Sequence, residues 1–267
     1  DPAQVLGADE RVRPVTVRHD AKWSPAVLDV LALLLNDEAA PVPGLLVDPF
    51  AGVGAGLLER TRRTDWWGIE LEPEWAAVND WVHQGDALDP GCYPDEVGAV
   101  VTSVVYGNRF SDQYLGPVCA PCKGSGVAAD AEGSAVGCAR CSGVGRDGRG
   151  RYSYAISLGR KVSAGSSAGL QWCPKYRAFH DRWLKTLTDV LEPGPRRLIL
   201  NVSDHYRARQ RQYVCSWWLS SAHAWGFRLV EAWPADTARM AHGRNAEKRA
   251  EREMVFVFDY LSRTFEA

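Results

Sequence analysis

Short apolar runs, each ending in a polar side chain, recur along the first 105 residues of this chain. Leu45-Leu46-Val47 leads to Asp48, Trp66-Trp67-Gly68-Ile69 to Glu70, a run around Val82 to Asp86, and Ala99-Val100-Val101-Thr102 to Ser103. Runs this short and this apolar, bounded by turn residues, predict buried strands. Helical patterns alternate with them. Ser24 is a candidate N-cap and Pro25 a first helical residue ahead of the apolar stretch Ala26 to Leu35. A helix is expected to begin near Leu57, another to span Pro73 to Trp81, and a long amphipathic one to run from about Gln171 through Leu191, ended by Pro193-Gly194. Arg197 to Ser203 reads as a fifth parallel strand and Gln212 to Trp225 as a helix. Arg228 to Trp233 and Met254 to Phe258 read as a closing antiparallel pair. Strands alternating with helices predict an α/β fold around a mostly parallel sheet.

The turn after the first strand carries Gly52, Gly54 and Gly56 at alternate positions. A glycine turn between strand and helix brings bare backbone N–H groups and a helix N-terminus to a ligand. Alone the pattern fits a plain structural turn equally well. Glu70 follows Asp48 by 22 residues, the place where an open α/β sheet sets an acid to accept from the two ribose hydroxyls of a nucleoside cofactor.

Four stretches together resemble a known family. Asp48-Pro49-Phe50-Ala51-Gly52-Val53-Gly54, Gly68-Ile69-Glu70-Leu71, Gly85-Asp86-Ala87 and Thr102-Ser103-Val104-Val105-Tyr106-Gly107-Asn108-Arg109 are similar to the S-adenosylmethionine (SAM)-dependent DNA amino-methyltransferases. Those enzymes methylate adenine N6 or cytosine N4. The resemblance implies a Rossmann-like three-layer fold with a seven-stranded, mostly parallel sheet. It implies SAM held by Asp48, Phe50, Gly52, Gly54, Glu70, Leu71, Asp86, Ala87 and Ser103. His19 and Lys22, in a His-x-x-Lys segment, would line the methionine end. In the family a polar residue, two prolines and an aromatic follow the fourth strand. The polar side chain and the next carbonyl accept hydrogen bonds from the target amine, and the aromatic stacks on a base flipped out of the duplex. Ser103 and Tyr106 fit that pattern, and a leading serine leans towards cytosine N4. Val104 and Val105 stand where the prolines belong.

That exchange keeps the carbonyl acceptor but loses the fixed φ that aims it. Three readings follow: a loop held in shape by packing with activity kept, a changed target (RNA or another base atom), or a catalytically silent nucleic-acid-binding homologue. For nucleic acid, the resemblance points to Asn108 and Arg109 after the loop and to Arg239 and Arg244 in the basic stretch before the last strand. Aromatics interleaved with cations add Trp172 and Lys175 as stacking and phosphate contacts. Asn201 and Asp204, at the end of the fifth strand, are further site candidates.

Cysteine spacing adds a metal. Cys119-Ala-Pro-Cys122 and Cys138-Ala-Arg-Cys141 are two Cys-x-x-Cys knuckles, each followed by x-Gly-x-Gly. Four thiolates at this spacing predict a closed, structural zinc site, similar to the cysteine-rich knuckles of DnaJ-type chaperones. The ribbon, 117–145, interrupts the methyltransferase domain, whose two parts are 1–116 and 146–267.

Composition narrows the partners. With 267 residues, 46% apolar and 24% charged, the chain can bury one sizeable core. A net charge of −2 confines any nucleic-acid surface to a local patch. The stretch Asp1 to Glu10 lacks the basic and apolar regions of a secretory leader, and no run approaches 18 apolar residues. Four of seven cysteines in one metal cluster favour a reducing, cytoplasmic setting. The expected partner is duplex DNA, or RNA under the second reading, with no membrane.

Overall fold

A computed structural model describes residues 23–37, 42, 44–54, 56–105, 117–130, 133–141, 143, 145–146, 154–158, 160–194, 196–207, 210–236 and 252–262. The chain divides into two compact units, Asp1–Asp20 with Ser111–Val162, and Ala21–Phe110 with Ser163–Ala267.

The larger unit is built on a seven-stranded sheet. Its strands are β1 (Leu45–Asp48), β2 (Trp66–Glu70), β3 (Val82–Gln84), β4 (Val97–Ser103), β7 (Arg197–Val202), β10 (Phe227–Asp236) and β11 (Arg252–Tyr260). Their spatial order is β3-β2-β1-β4-β7-β11-β10. The pairs β1–β2, β1–β4, β2–β3 and β4–β7 are parallel, while β11 runs antiparallel to both β7 and β10. An order that reverses at β1 and β4, closed by one reversed strand slotted between the fifth and sixth, is the Rossmann-like SAM-methyltransferase topology. The expected fold class is therefore observed.

Near-continuous apolar strands put alternate residues on opposite faces. On one face Val47, Val100, Leu198, Leu200, Phe256 and Phe258 pack with Trp183, Leu184, Leu187 and Trp218. These last come from α5 (Pro174–Val190) and α6 (Val214–Ala224). On the other face Leu46, Ala99, Val101, Ile199, Val255 and Val257 pack with Val27 and Leu31 of α1 (Pro25–Leu35) and Leu57 of α2 (Leu57–Thr61). The layers are thus helix, sheet, helix. As expected, Ser24 caps α1: its hydroxyl accepts from the Val27 amide at 3.3 Å.

Several elements differ from expectation, and the closing strands β10 and β11 run longer than the apolar patterns Arg228–Trp233 and Met254–Phe258. The helix after β2 is a single turn, α3 (Pro73–Ala76), rather than running to Trp81. Asn79, beyond it, donates its side-chain amide to the Val53 carbonyl, and the Val82 amide donates back to Asn79 at 3.0 Å, turning the chain into β3. Residues His205–Arg207 (β8) and Gln210–Gln212 (β9) form a small hairpin. The hairpin takes Gln212, so α6 starts at Val214. Asp204 holds this region together, accepting from Arg211 at 3.0 Å and from the Cys215 amide at 2.8 Å.

The smaller unit contains a two-stranded ribbon, β5 (Val127–Ala129) and β6 (Ala135–Gly137), and α4 (Tyr154–Leu158). Among the described residues no helix is long and apolar enough to cross a membrane.

Candidate functional site

Because β1, β2, β4 and β7 are parallel, their polar ends meet on one edge of the sheet, where open α/β folds bind ligands. Asp48, Glu70, Ser103 and Asn201 are those ends.

Asp48 is buried and its Oδ1 accepts twice, from Thr102 Oγ1 at 2.7 Å and from the Phe50 amide at 3.1 Å. Burial outweighs both bonds and pushes its carboxyl up to about 7. Beyond it the chain turns through Gly52 and Gly54 at φ 57° and 67°, a left-handed backbone that glycine adopts without strain. A Cβ on Gly54 would also lie 2.5 Å from the Trp81 ring. Glu70 binds this turn: Oε2 accepts from the Gly52 amide at 2.9 Å and Oε1 from the Glu72 amide at 2.8 Å. Burial again dominates and raises Glu70 to about 7, with the nearby Glu72 and Asp48 charges adding to the rise. Two carboxyls poised near neutrality share this edge.

Leu71 is half-buried after Glu70, and Ala87 is buried. Asp86 is exposed, its Oδ1 accepting from the Leu88 amide at 2.9 Å. The short 3-10 turn that follows, Pro90–Cys92, is capped by Asp89, whose side chain accepts from the Gly91 amide at 2.9 Å, and not by Asp86. Phe50 packs against Phe179, His180 and Trp183 of α5, with centroids 6.2, 5.8 and 5.1 Å away.

Ser103 stands opposite Asn201 across the β4–β7 pair and donates its hydroxyl to Asn201 Oδ1 at 2.9 Å. Val104 is 2% exposed and belongs to the core. The Val105 carbonyl accepts from the Tyr176 hydroxyl at 2.6 Å. His19, Lys22, Tyr106, Asn108, Arg109, Arg239 and Arg244 lie outside the described residues. Trp172 is half-buried against Tyr176 and Trp217, with the Arg177 guanidinium 5.5 Å above its ring, and Lys175 is exposed.

The pairing of Glu72 with Ser163 is a contact the sequence did not suggest. Glu72 is fully buried, and its two oxygens accept from the Ser163 amide at 2.7 Å and hydroxyl at 2.9 Å. Ninety-one residues separate the pair, and a serine in a Gly/Ser-rich stretch carries no signal for it. Asp204 turns out to staple the β8–β9 hairpin to α6, whereas Asn201 reaches Ser103.

In the smaller unit, Cys119, Cys122, Cys138 and Cys141 bring their sulfurs within 4.8 Å of one another, all buried. The separations Cys119–Cys138 and Cys122–Cys141 are 3.9 and 3.7 Å. A disulfide needs about 2.05 Å. A tetrahedron with metal–sulfur bonds of about 2.3 Å has edges of about 3.8 Å. The donor set fits one tetrahedral zinc ion. The Gly145 amide donates to Cys141 Sγ at 3.2 Å, a neighbouring-shell bond of the kind that orients ligands.

No protein-family profile matches the chain, and no curated protein matches it in sequence. Among solved structures it is similar to TrmN from Thermus thermophilus, at 15% identity and a TM-score of 0.45, over 88% of this chain and 49% of that one. It is similar to a TehB-like SAM-dependent methyltransferase from Corynebacterium glutamicum at 13% identity and a TM-score of 0.41, over 86% of each chain. The N-methyltransferase NodS from Bradyrhizobium japonicum gives 10% identity and a TM-score of 0.40, over 88% of this chain and 94% of that one. The chain spans about half the length of TrmN. At these values the fold rests on the strand order and direction described above.

Proposed function

We propose that the chain is a SAM-dependent methyltransferase acting on an exocyclic amine of a DNA base, cytosine N4 or adenine N6, with a structural zinc in its ribbon. The observation that carries this reading is the convergence of Asp48, Glu70 and Ser103 on one sheet edge, in the order the motif resemblance assigns to cofactor and target. The acceptor set suits a cationic nucleoside. Glu70 has two oxygens for a ribose diol in place of the amides they now bind, Asp48 offers an ionisable carboxyl for a positive centre, and exposed Asp86 offers an acceptor for an adenine amine. Bound SAM would supply an electrophilic methyl group on sulfonium, so the protein needs no strong base.

The chain's own part is positioning, which can lower a barrier by several kcal/mol. Ser103 would accept from the target amine, together with the carbonyl of Val104, and turn its nitrogen lone pair towards the methyl group. Asn201 orients Ser103 by accepting the hydrogen bond from its hydroxyl, so that the serine oxygen presents its lone pairs as acceptor towards the substrate.

Transfer of label from tritiated SAM to duplex DNA and to RNA, each with wild type and Ser103→Ala, tests the proposal. Labelled DNA and a fall in kcat of about a hundredfold in the variant are expected. Label in RNA alone would replace the substrate class.

A further inference from the structure

The two valines of the loop raise a mechanical question: what aims the Val104 carbonyl once the proline rings are gone? The loop is pinned on both sides of that carbonyl. On one side the Val104 side chain is sunk in the core. On the other, the Val105 carbonyl accepts from Tyr176 at 2.6 Å. Tyr176 is fully buried in the first turn of α5, 71 residues away in sequence. Its oxygen in turn accepts from Trp218 Nε1 of α6 at 3.4 Å. The direction of this chain is unambiguous, because an indole N–H only donates and a carbonyl only accepts, so the phenol proton must point at Val105. Burial holds the phenol far above its ordinary pKa, so the donor persists at every working pH. His180 and Trp172 pack against the ring in tilted contacts, with centroids 4.3 and 5.3 Å away, which fixes the phenol in place.

We propose that Tyr176 is a positioning residue that holds the loop after β4 in its working shape, replacing with a buried hydrogen bond the rigidity that two prolines give the related motif. The inference rests on the reading of Ser103 to Val105 as the target-binding loop. It makes the Val-Val sequence one half of a pair whose other half is a tyrosine on α5. A proline loop needs no such brace; a valine loop does.

The test is a cycle of four proteins: wild type, Tyr176→Phe, the double variant Val104→Pro with Val105→Pro, and all three changes together. The first readout is hydrogen exchange at the amides of positions 102, 103 and 106, which every member of the cycle retains. Loss of a buried hydrogen bond is expected to speed exchange by about tenfold in the valine background. In the proline background the same change is expected to matter by about threefold or less. Methyl transfer, the second readout, is expected to show kcat lowered about tenfold by Tyr176→Phe, with the SAM KM unchanged and most of the loss restored by the prolines. Trp218→Phe, which keeps the phenol but removes its own donor, should shift exchange in the same direction by less. This variant decides the matter if Tyr176→Phe loosens α5. Equal effects of Tyr176→Phe in both backgrounds, or none in either, would overturn the brace. Absence of transfer from every protein while SAM still binds would instead overturn the proposed function, and exchange would still decide the brace.

Discussion

Asp48 and Glu70 each sit at about 7, chiefly through burial, and that single physical cause yields two opposed consequences. A free carboxyl ionises near 4. Between about 4 and about 7 the folded protein therefore keeps a proton at Asp48 that the unfolded chain has released, and stability falls as pH rises through that window. Asp48→Asn keeps an oxygen to accept from Thr102 and Phe50 but removes the charge. It is expected to stabilise the protein at pH 8 by about 1–3 kcal/mol, with the gain shrinking as pH drops towards 4; urea unfolding at pH 5 and 8 measures it. Ligand binding should move the other way. SAM affinity, followed by calorimetry, is expected to rise from pH 6 to 8 as the carboxyls ionise, and to fall about tenfold or more in Asp48→Asn as a cation loses its partner. Equal effects on stability at both pH values would contradict the burial argument. Asp48 and Glu70 were legible in the sequence because each ends an apolar run, and strand polarity then sends both to one edge. Thr102, Ser163 and Tyr176 were not, because each acts on a partner 54 to 91 positions away and looks, locally, like ordinary strand, loop or helix.

Among the elements, the ribbon shows best why a repeat is there. The amide of Cys119 donates to the Gly145 carbonyl at 3.0 Å, and that of Cys138 to the Gly126 carbonyl at 2.8 Å. Each knuckle's first cysteine thus binds the last glycine of the other. A Cβ on Gly126 would overlap the Gly143 carbonyl, and one on Gly145 would overlap the Gly124 carbonyl. Both positions also have left-handed φ, 75° and 77°. The glycines are needed for backbone crossing as well as for turning about the metal. Gly126→Ala is expected to lower zinc affinity about tenfold or more, read by competition with a chromophoric chelator. Native mass spectrometry should show one zinc per chain, lost in Cys119→Ser. Wild-type affinity in Gly126→Ala would refute the interlock. Spacing alone revealed the cysteine set, since four ligands at that interval have few other uses. The β8–β9 hairpin and the shortened α3 stayed hidden. One is fixed by an Asp204–Arg211 pair within a basic run, the other by an asparagine whose acceptor belongs to a different turn.

At the scale of the molecule, neighbouring residues of β1, β4, β7 and β11 face opposite helix layers, so these strands are apolar almost throughout. Such runs alternating with helical patterns made the α/β class readable in advance, and the motif resemblance implied the seven-stranded sheet. What the fold leaves open is the substrate, because the same sheet edge serves many acceptors. The most direct measurement is nucleoside mass spectrometry of unmodified duplex DNA after incubation with the protein and isotopically labelled SAM. The account predicts labelled N4-methylcytosine or N6-methyladenine from the chain with its two valines in place. Unmodified DNA from both this chain and the Val104→Pro, Val105→Pro variant, with SAM bound to each, would contradict it.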